Sequence, residues 1–214
     1  MPSAPDTPSD SARIRGVLVP LFVIQFFSWS GLFALWIYSV PVVTRFVFAA
    51  PSYDSAAYRD GLFWVSLAFA FYALLGTSLA FALPYFVARW GHGLVHGTAL
   101  LIGGVGIASL SLIHRPLLLV PAFTAIGIGW SSIGNLPYSI VSAAAPPERI
   151  SHYMRLFGFS TVIPQTTATF ALAFATEHWF GPATNRVMAL GGVSMFVAGV
   201  LTLAVRERLD MTTS

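Results

Sequence analysis

Long apolar runs alternate with short polar breaks along almost the whole chain, and the runs have membrane dimensions. About 20 predominantly apolar residues suffice to cross a bilayer as a helix, and six stretches reach that length: 17–43, 61–86, 94–113, 116–145, 153–176 and 186–205. Before the first, 1–12 is Pro, Ser, Asp and Thr with nothing to bury, which predicts a disordered tail. The run after Arg13 and Arg15 is too long for the core of a signal peptide, about 7–15 residues, and reads as a spanning helix whose far end is marked by Pro41. The second helix is expected to end near Pro84. The pattern therefore predicts an all-α integral membrane protein: a tail over 1–12, a six-helix bundle over 13–208 and a second tail over 209–214.

The fourth run differs in kind from the others. Gly127-Ile128-Gly129-Trp130-Ser131-Ser132-Ile133-Gly134-Asn135-Leu136-Pro137-Tyr138-Ser139 sits in the middle of a segment without an ionisable side chain. Its glycines permit bending or close approach, and Pro137 removes a helical hydrogen bond beside the polar Asn135. Breaks at membrane depth survive where they face protein or a water-filled cavity, and interrupted apolar segments point to the substrate site of secondary transporters.

Composition agrees with the pattern. Hydrophobic residues make up 56% of the chain and charged residues 9%, with mean hydropathy +0.76; a soluble domain carries about 25% charged residues. No cysteine is present, which excludes a disulfide framework and cysteine metal sites. The net charge of +3 does not signal nucleic acid, because all 11 basic residues are arginines scattered between the apolar runs. With six spans, Arg13, Arg15, Arg89, Arg149, Arg155, Arg206 and Arg208 fall on one side, and Arg45, Arg59, Arg115 and Arg186 on the other. The arginine-rich side is expected to be cytoplasmic, which puts both termini inside.

The two halves of the chain echo one another. Gly103-Gly104-Val105 in the third run returns as Gly191-Gly192-Val193 in the sixth, and Trp29-Ser30 in the first returns as Trp130-Ser131 in the fourth. Turns containing Trp and Gly follow the second and fifth runs, around Gly91 and Gly181. Two related sets of three helices point in opposite directions through the bilayer, the inverted repeat found within each half of a major facilitator transporter.

Particular residues carry the resemblance further. Trp36-Ile37-Tyr38, Gly127-Ile128-Gly129-Trp130, Leu136-Pro137-Tyr138, Tyr153-Met154 with Phe157, and Val162-Ile163-Pro164-Gln165 together resemble the C-terminal six-helix half of a major facilitator superfamily transporter. Within that superfamily they resemble the sugar-cation symporters of sucrose and other glycosides, over almost all of 17–205. Ala88-Arg89-Trp90-Gly91-His92 resembles the superfamily's cytoplasmic gating loop, with Arg89 and Gly91 at matching positions. Ala88 replaces the loop's acid, His92 replaces its second base, and Arg155 stands where the group carries a small residue. The resemblance implies alternating access against a second six-helix half or a second copy of this chain. It also implies a bacterial inner membrane, a sugar-like substrate and a coupling proton or other cation.

A sugar needs amides and hydroxyls for its hydroxyl groups and aromatic faces for its C–H surfaces, and pockets of this kind combine apolar walls with a few converging polar groups. Gln25, Trp29 and Trp36 fall on nearly one side of the first helix. In the fourth, Trp130 and Tyr138 share a face with Gly134, and Asn135 lies on the adjoining one. In the fifth, Thr161 and Gln165 begin a polar line that continues to Thr169. Trp64 and Trp179, near segment ends, suit interfacial belts instead. No acidic residue lies deep in any run, so a coupling proton is expected to be held by another chain. His92 and His96 are four apart but have no third ligand nearby, so no metal or other cofactor is expected. No nucleophile elbow, phosphate loop or dinucleotide fingerprint appears either, which argues against an enzyme. Three readings stay open: a transport half, a truncated remnant of a longer transporter, and a membrane interaction protein.

Overall fold

A computed structural model describes residues 8–181 and 185–210. Helix α1 runs over Pro8–Val42, α2 over Ala56–Trp90, α3 over His92–Ser109, α4 over Leu119–Ile133 and α5 over Leu136–Ala144. Then come α6 over Ile150–Ala175, α7 over Asn185–Ala204 and a short α8 over Arg206–Asp210. No strand occurs among the described residues. Five segments are long and apolar enough to cross a membrane: Ala12–Val47, Ala56–Trp90, His92–Ser109, Pro116–Ala144 and Asn185–Ala204. The chain is thus an all-helical membrane protein. α6 is 26 residues long yet is not one of the five; Arg155, Gln165 and four threonines between Thr161 and Thr169 dilute its apolar character.

Several helices outrun the lengths read from the sequence. Pro41 and Pro84 lie inside α1 and α2 rather than at their ends. α1 continues through a π-helical turn at Val43–Val47, and α2 begins at Ala56, where the Ser55 hydroxyl accepts the Tyr58 N–H at 3.2 Å. α1 also covers Pro8–Ala12, and α8 covers Leu209 and Asp210, all read as tail from the sequence; residues 1–7 and 211–214 of those tails lie outside the described residues. The fourth run does break. α4 stops at Ile133, α5 starts at Leu136, and Pro137 sits in the first turn of α5 where a missing N–H is harmless.

The direction of each helix follows from what it touches. α7 runs antiparallel to α1, since Gly31 meets Gly191 and Met195 while the Ser194 hydroxyl donates to the Phe27 carbonyl at 2.8 Å. α3 runs antiparallel to α7, with Gly97 opposite Gly199 and Gly104 opposite Gly192, and α4 runs antiparallel to α3. α2 lies parallel to α4, from Phe69 on Phe123 to Gly76 on Trp130. α6 lies parallel to α1, from Phe157 on Phe22 at one end to Thr176 bonded to Tyr38 at the other. The most extensive helix pairs are α3–α7, α1–α7, α3–α4, α2–α4 and α1–α6.

Glycine makes the closest of these crossings possible. A Cβ on Gly192 would stand 2.4 Å from the Ala108 nitrogen, and one on Gly104 would stand 2.7 Å from the Phe196 nitrogen. Small residues let helices approach where lipid offers no hydrophobic drive to associate. Hydroxyls contribute little across the helices, because most of the serines and threonines back-bond within their own helix, as Thr98, Thr124, Thr169 and Thr202 do to the carbonyl four residues earlier.

Candidate functional site

Three of the residues singled out from the sequence come together. Trp29 and Trp36 project from α1 and meet Trp130 of α4, with indole centroids 6.0 Å apart for Trp29–Trp36, 6.1 Å for Trp29–Trp130 and 5.8 Å for Trp36–Trp130. Interplanar angles of 65°, 89° and 73° make all three contacts edge-to-face, the arrangement the ring quadrupole favours. Phe33 closes one side against Trp29 and Trp36, and Tyr72 of α2 closes another, 6.0 Å from Trp130. The result is an aromatic shelf rather than an enclosed hollow: Trp29 is its buried floor and Trp36 remains 36% exposed.

The shelf depends on backbone as much as on side chains. A Cβ on Gly76 would lie 2.6 Å from the Trp130 ring, so glycine at that position of α2 is what lets the indole approach the helix so closely. Neither Gly76 nor Tyr72 was singled out from the sequence. The available signal was a lone glycine in the middle of an apolar helix, which marks a close approach without naming its partner.

Polar groups sit beneath and beside the shelf. Gln25 lies one turn before Trp29 and is fully buried; its Oε1 accepts the Ser28 hydroxyl at 3.3 Å. The Gln25 Nε2, the Trp29 Nε1 and the Ser160 Oγ of α6 are buried with no hydrogen-bond partner among the described residues. The α1–α6 register that sets Phe22 on Phe157 brings Gln25 and Ser160 to one level. Buried polar atoms without partners are uncommon, because each forfeits hydrogen bonds that water would supply. Two of these three atoms are pure donors, so what would satisfy them is an acceptor.

The other residues picked from the sequence occupy the neighbouring face. Asn135 is exposed in the break, its amide donating to the Ser131 carbonyl at 2.7 Å, and Tyr138 packs edge-on against Phe157 at 5.1 Å. Gln165 is exposed on α6 and Thr161 is half-buried one turn earlier. The expected common face thus divides in two. Gln25 lies inside the bundle rather than on an open wall, whereas Asn135 and Gln165 do stand on open surface.

Arg89 and Gly91 form the α2–α3 turn, away from the shelf. Gly91 adopts φ +81°, a conformation glycine tolerates, and the exposed Arg89 guanidinium stands 5.9 Å from the Trp90 ring. An acid reaches this turn from elsewhere in the chain. Asp210 of α8 accepts the Gly93 N–H at 2.9 Å, and its carboxylate lies against Gly91. Opposite, His92 Nε2 bonds the Ser139 hydroxyl of α5 at 3.1 Å. The turn is therefore tied both to the end of the chain and to the segment beyond the break.

Among the described residues no group of three or more His, Cys, Asp or Glu is arranged to hold a metal ion. No protein-family model matches the chain, and no curated protein matches it.

Proposed function

We propose that this chain is a six-span, half-size secondary transporter of sugar-like substrates that works by alternating access against a second six-helix half, separately encoded or a second copy of itself. The observation that carries the substrate class is the Trp29–Trp36–Trp130 shelf with unpaired donors below it. An aromatic face beside unsatisfied donors suits a ring whose C–H surface stacks and whose hydroxyl oxygens accept. The neighbouring helix break at Gly134–Asn135 supplies the irregular backbone at membrane depth that marks transporter sites.

The helix pairing supports the inverted repeat. Exchanging α1, α2 and α3 with α4, α6 and α7 turns α1–α7 into α3–α4, turns α2–α4 into α1–α6, and returns α3–α7 to itself, so the set of extensive pairs maps onto itself. The glycines obey the same exchange. Gly103 meets Gly129 where α3 crosses α4, and Gly191 meets Gly31 where α7 crosses α1. α6 counts as the sixth span on this reading, because it reaches from the Phe22 end of α1 to the Tyr38 end. A polar α6 with Gln165 facing outward suits a helix that lines a cavity shared with a partner, since an amide facing lipid is costly.

The test begins with the mass of the tagged protein extracted gently from its native membranes, with co-purifying chains identified. A defined complex with a second six-helix protein, or a defined homodimer, is the expected result; a lone heat-stable monomer overturns the half-transporter reading. Uptake of labelled glycosides into liposomes then tests the substrate class. Trp130→Ala is expected to abolish uptake while the protein stays folded, and unchanged kinetics in that variant would remove the shelf from the site.

A further inference from the structure

No Asp or Glu lies deep in any of the apolar runs. The structure contains a buried base instead. His96 is 0% exposed on α3, and its Nδ1 lies 3.0 Å from the Ser132 hydroxyl of α4, two residues before the helix break. The Ser132 hydroxyl has a single proton, and the Gly129 carbonyl 3.1 Å away can only accept it. With the Ser132 hydroxyl donating to that carbonyl, it accepts from the histidine, and Nδ1 carries the imidazole hydrogen in this arrangement. Nε2 is buried and without a partner among the described residues, and in that tautomer it is a bare lone pair. A basic atom so placed has nothing to gain from packing.

One turn earlier, on the same face of α3, His92 is half-buried and bonds Ser139, on the far side of the break. The two histidines therefore hold both flanks of the Gly134–Asn135 interruption, His96 through Ser132 and His92 through Ser139. Pro137 has no N–H to give the Ile133 carbonyl, so the break carries an acceptor that ordinary helix geometry leaves unused.

We infer that His96 Nε2 is a proton-binding site, reached from the α2–α3 turn past His92, and that its protonation opens the α4–α5 break. The proton comes from water at that end of the bundle, the Nδ1–H bond to Ser132 is kept, and the imidazolium gains an Nε2–H donor for which the closed packing offers no acceptor. Opening the break admits water and exposes carbonyls to that donor. Opposing or assisting charges are few. On α3 itself the neighbour is His92. α4 and α5 meet the two histidines through the Ser132 and Ser139 hydroxyls and carry no Asp, Glu, Arg or His, and neither does α1 from Val17 to Val42 nor α7 from Val187 to Ala204. α8 brings Arg206 and Asp210 against Gly93 and Gly91, and α2 ends in Arg89. No fixed charge is thus brought to Nε2, and the binding of a proton there changes the local charge outright.

The inference stands on the α3–α4 geometry, independent of any transported substrate; in a sugar transporter this site would hold the coupling proton. The test needs no sugar. Amide hydrogen exchange is measured over 130–139 in the purified full chain in nanodiscs at pH 8 and pH 5.5, corrected for the intrinsic pH dependence of exchange. Acidification from pH 8 to pH 5.5 crosses the range in which a solvated histidine takes up a proton, so a site that binds only in the open form raises the open population by up to about tenfold. The expected result is that increase in the wild type, its loss in His96→Gln, and its retention in His92→Gln. PH dependence that survives His96→Gln, or that vanishes only in His92→Gln, overturns the assignment. Should His96→Gln fail to fold, ¹⁵N-histidine NMR of the wild type decides. Histidine ¹⁵N shifts that move towards the protonated imidazolium as pH falls from 8 to 5 support the site, and shifts for the buried histidine that stay constant over that range refute it.

Discussion

Replacing Gly192 with alanine puts the tightest crossing in the bundle to the test. The added Cβ would lie 2.4 Å from the nitrogen, 2.5 Å from the Cβ and 2.6 Å from the Cα of Ala108. Ordinary van der Waals contact begins at 3.4 Å, so α3 and α7 must separate by about 1 Å at this level. Two of the three blocking atoms are backbone and no rotamer change relieves them. Overpacking of this kind costs about 1–3 kcal/mol, while alanine in a helix returns about 0.5–1 kcal/mol relative to glycine. A net loss of about 1–2 kcal/mol is expected. Gly158 on α6 provides the internal control: a Cβ there meets nothing within 4 Å, so Gly158→Ala should gain about 0.5–1 kcal/mol. At about 2–4 °C per kcal/mol for a chain of this size, the two variants should shift melting in opposite directions. The assay heats each variant in detergent and records by size exclusion the fraction that stays monodisperse. A Gly192→Ala protein at least as stable as the wild type would refute glycine-mediated close packing of α3 on α7.

Other outcomes follow from the same contacts. Asp210→Asn removes a charged acceptor from the α3 N-terminus, where caps contribute about 1 kcal/mol, and should speed amide exchange at 92–96 without altering it at 103–107. Gln25→Leu replaces an amide whose Nε2 is already unpaired with an apolar group of similar size. Stability in the heating assay should be unchanged or higher, and glycoside uptake should fall if the amide serves the shelf. Because the chain has no cysteine, single cysteines report topology directly. Trp179→Cys should react with a membrane-impermeant maleimide from the same side as Tyr53→Cys and from the side opposite Glu148→Cys. Labelling of Trp179→Cys together with Glu148→Cys would mean that α6 does not cross.

The helical, membrane-spanning character was legible because it is local: apolar runs of spanning length need no partner to be recognised. The break in the fourth run was legible for the same reason, since Gly134, Asn135 and Pro137 announce it within four residues. Helix ends were less so. Pro41 and Pro84 read as terminators, yet a proline inside a long helix leaves one carbonyl unbonded and the packing around it absorbs the loss. The site was half legible. The i, i+7 spacing put Trp29 and Trp36 on one side of α1, but their meeting with Trp130 depends on α1 lying near α4, and Tyr72 enters only because α2 runs parallel to α4. Gln25 shared their face by periodicity and was nonetheless buried, because α6 covers that level of α1. His96 was weighed with His92 as a metal pair when each in fact has its own serine partner 36 or 47 residues on. Asp210 looked like tail because nothing near it in sequence shows that α3 begins beside it.

The tryptophan shelf has an optical consequence. Three indoles within about 6 Å of one another, none coplanar with the next, have transition dipoles close enough to couple and a fixed chiral arrangement that gives the coupling a sign. Excitation of any one is shared with the other two, so the near-ultraviolet circular dichroism of the chain is weighted towards this one spot. Any movement of α1 relative to α4 therefore rewrites the spectrum, and the protein carries its own conformational gauge without a label.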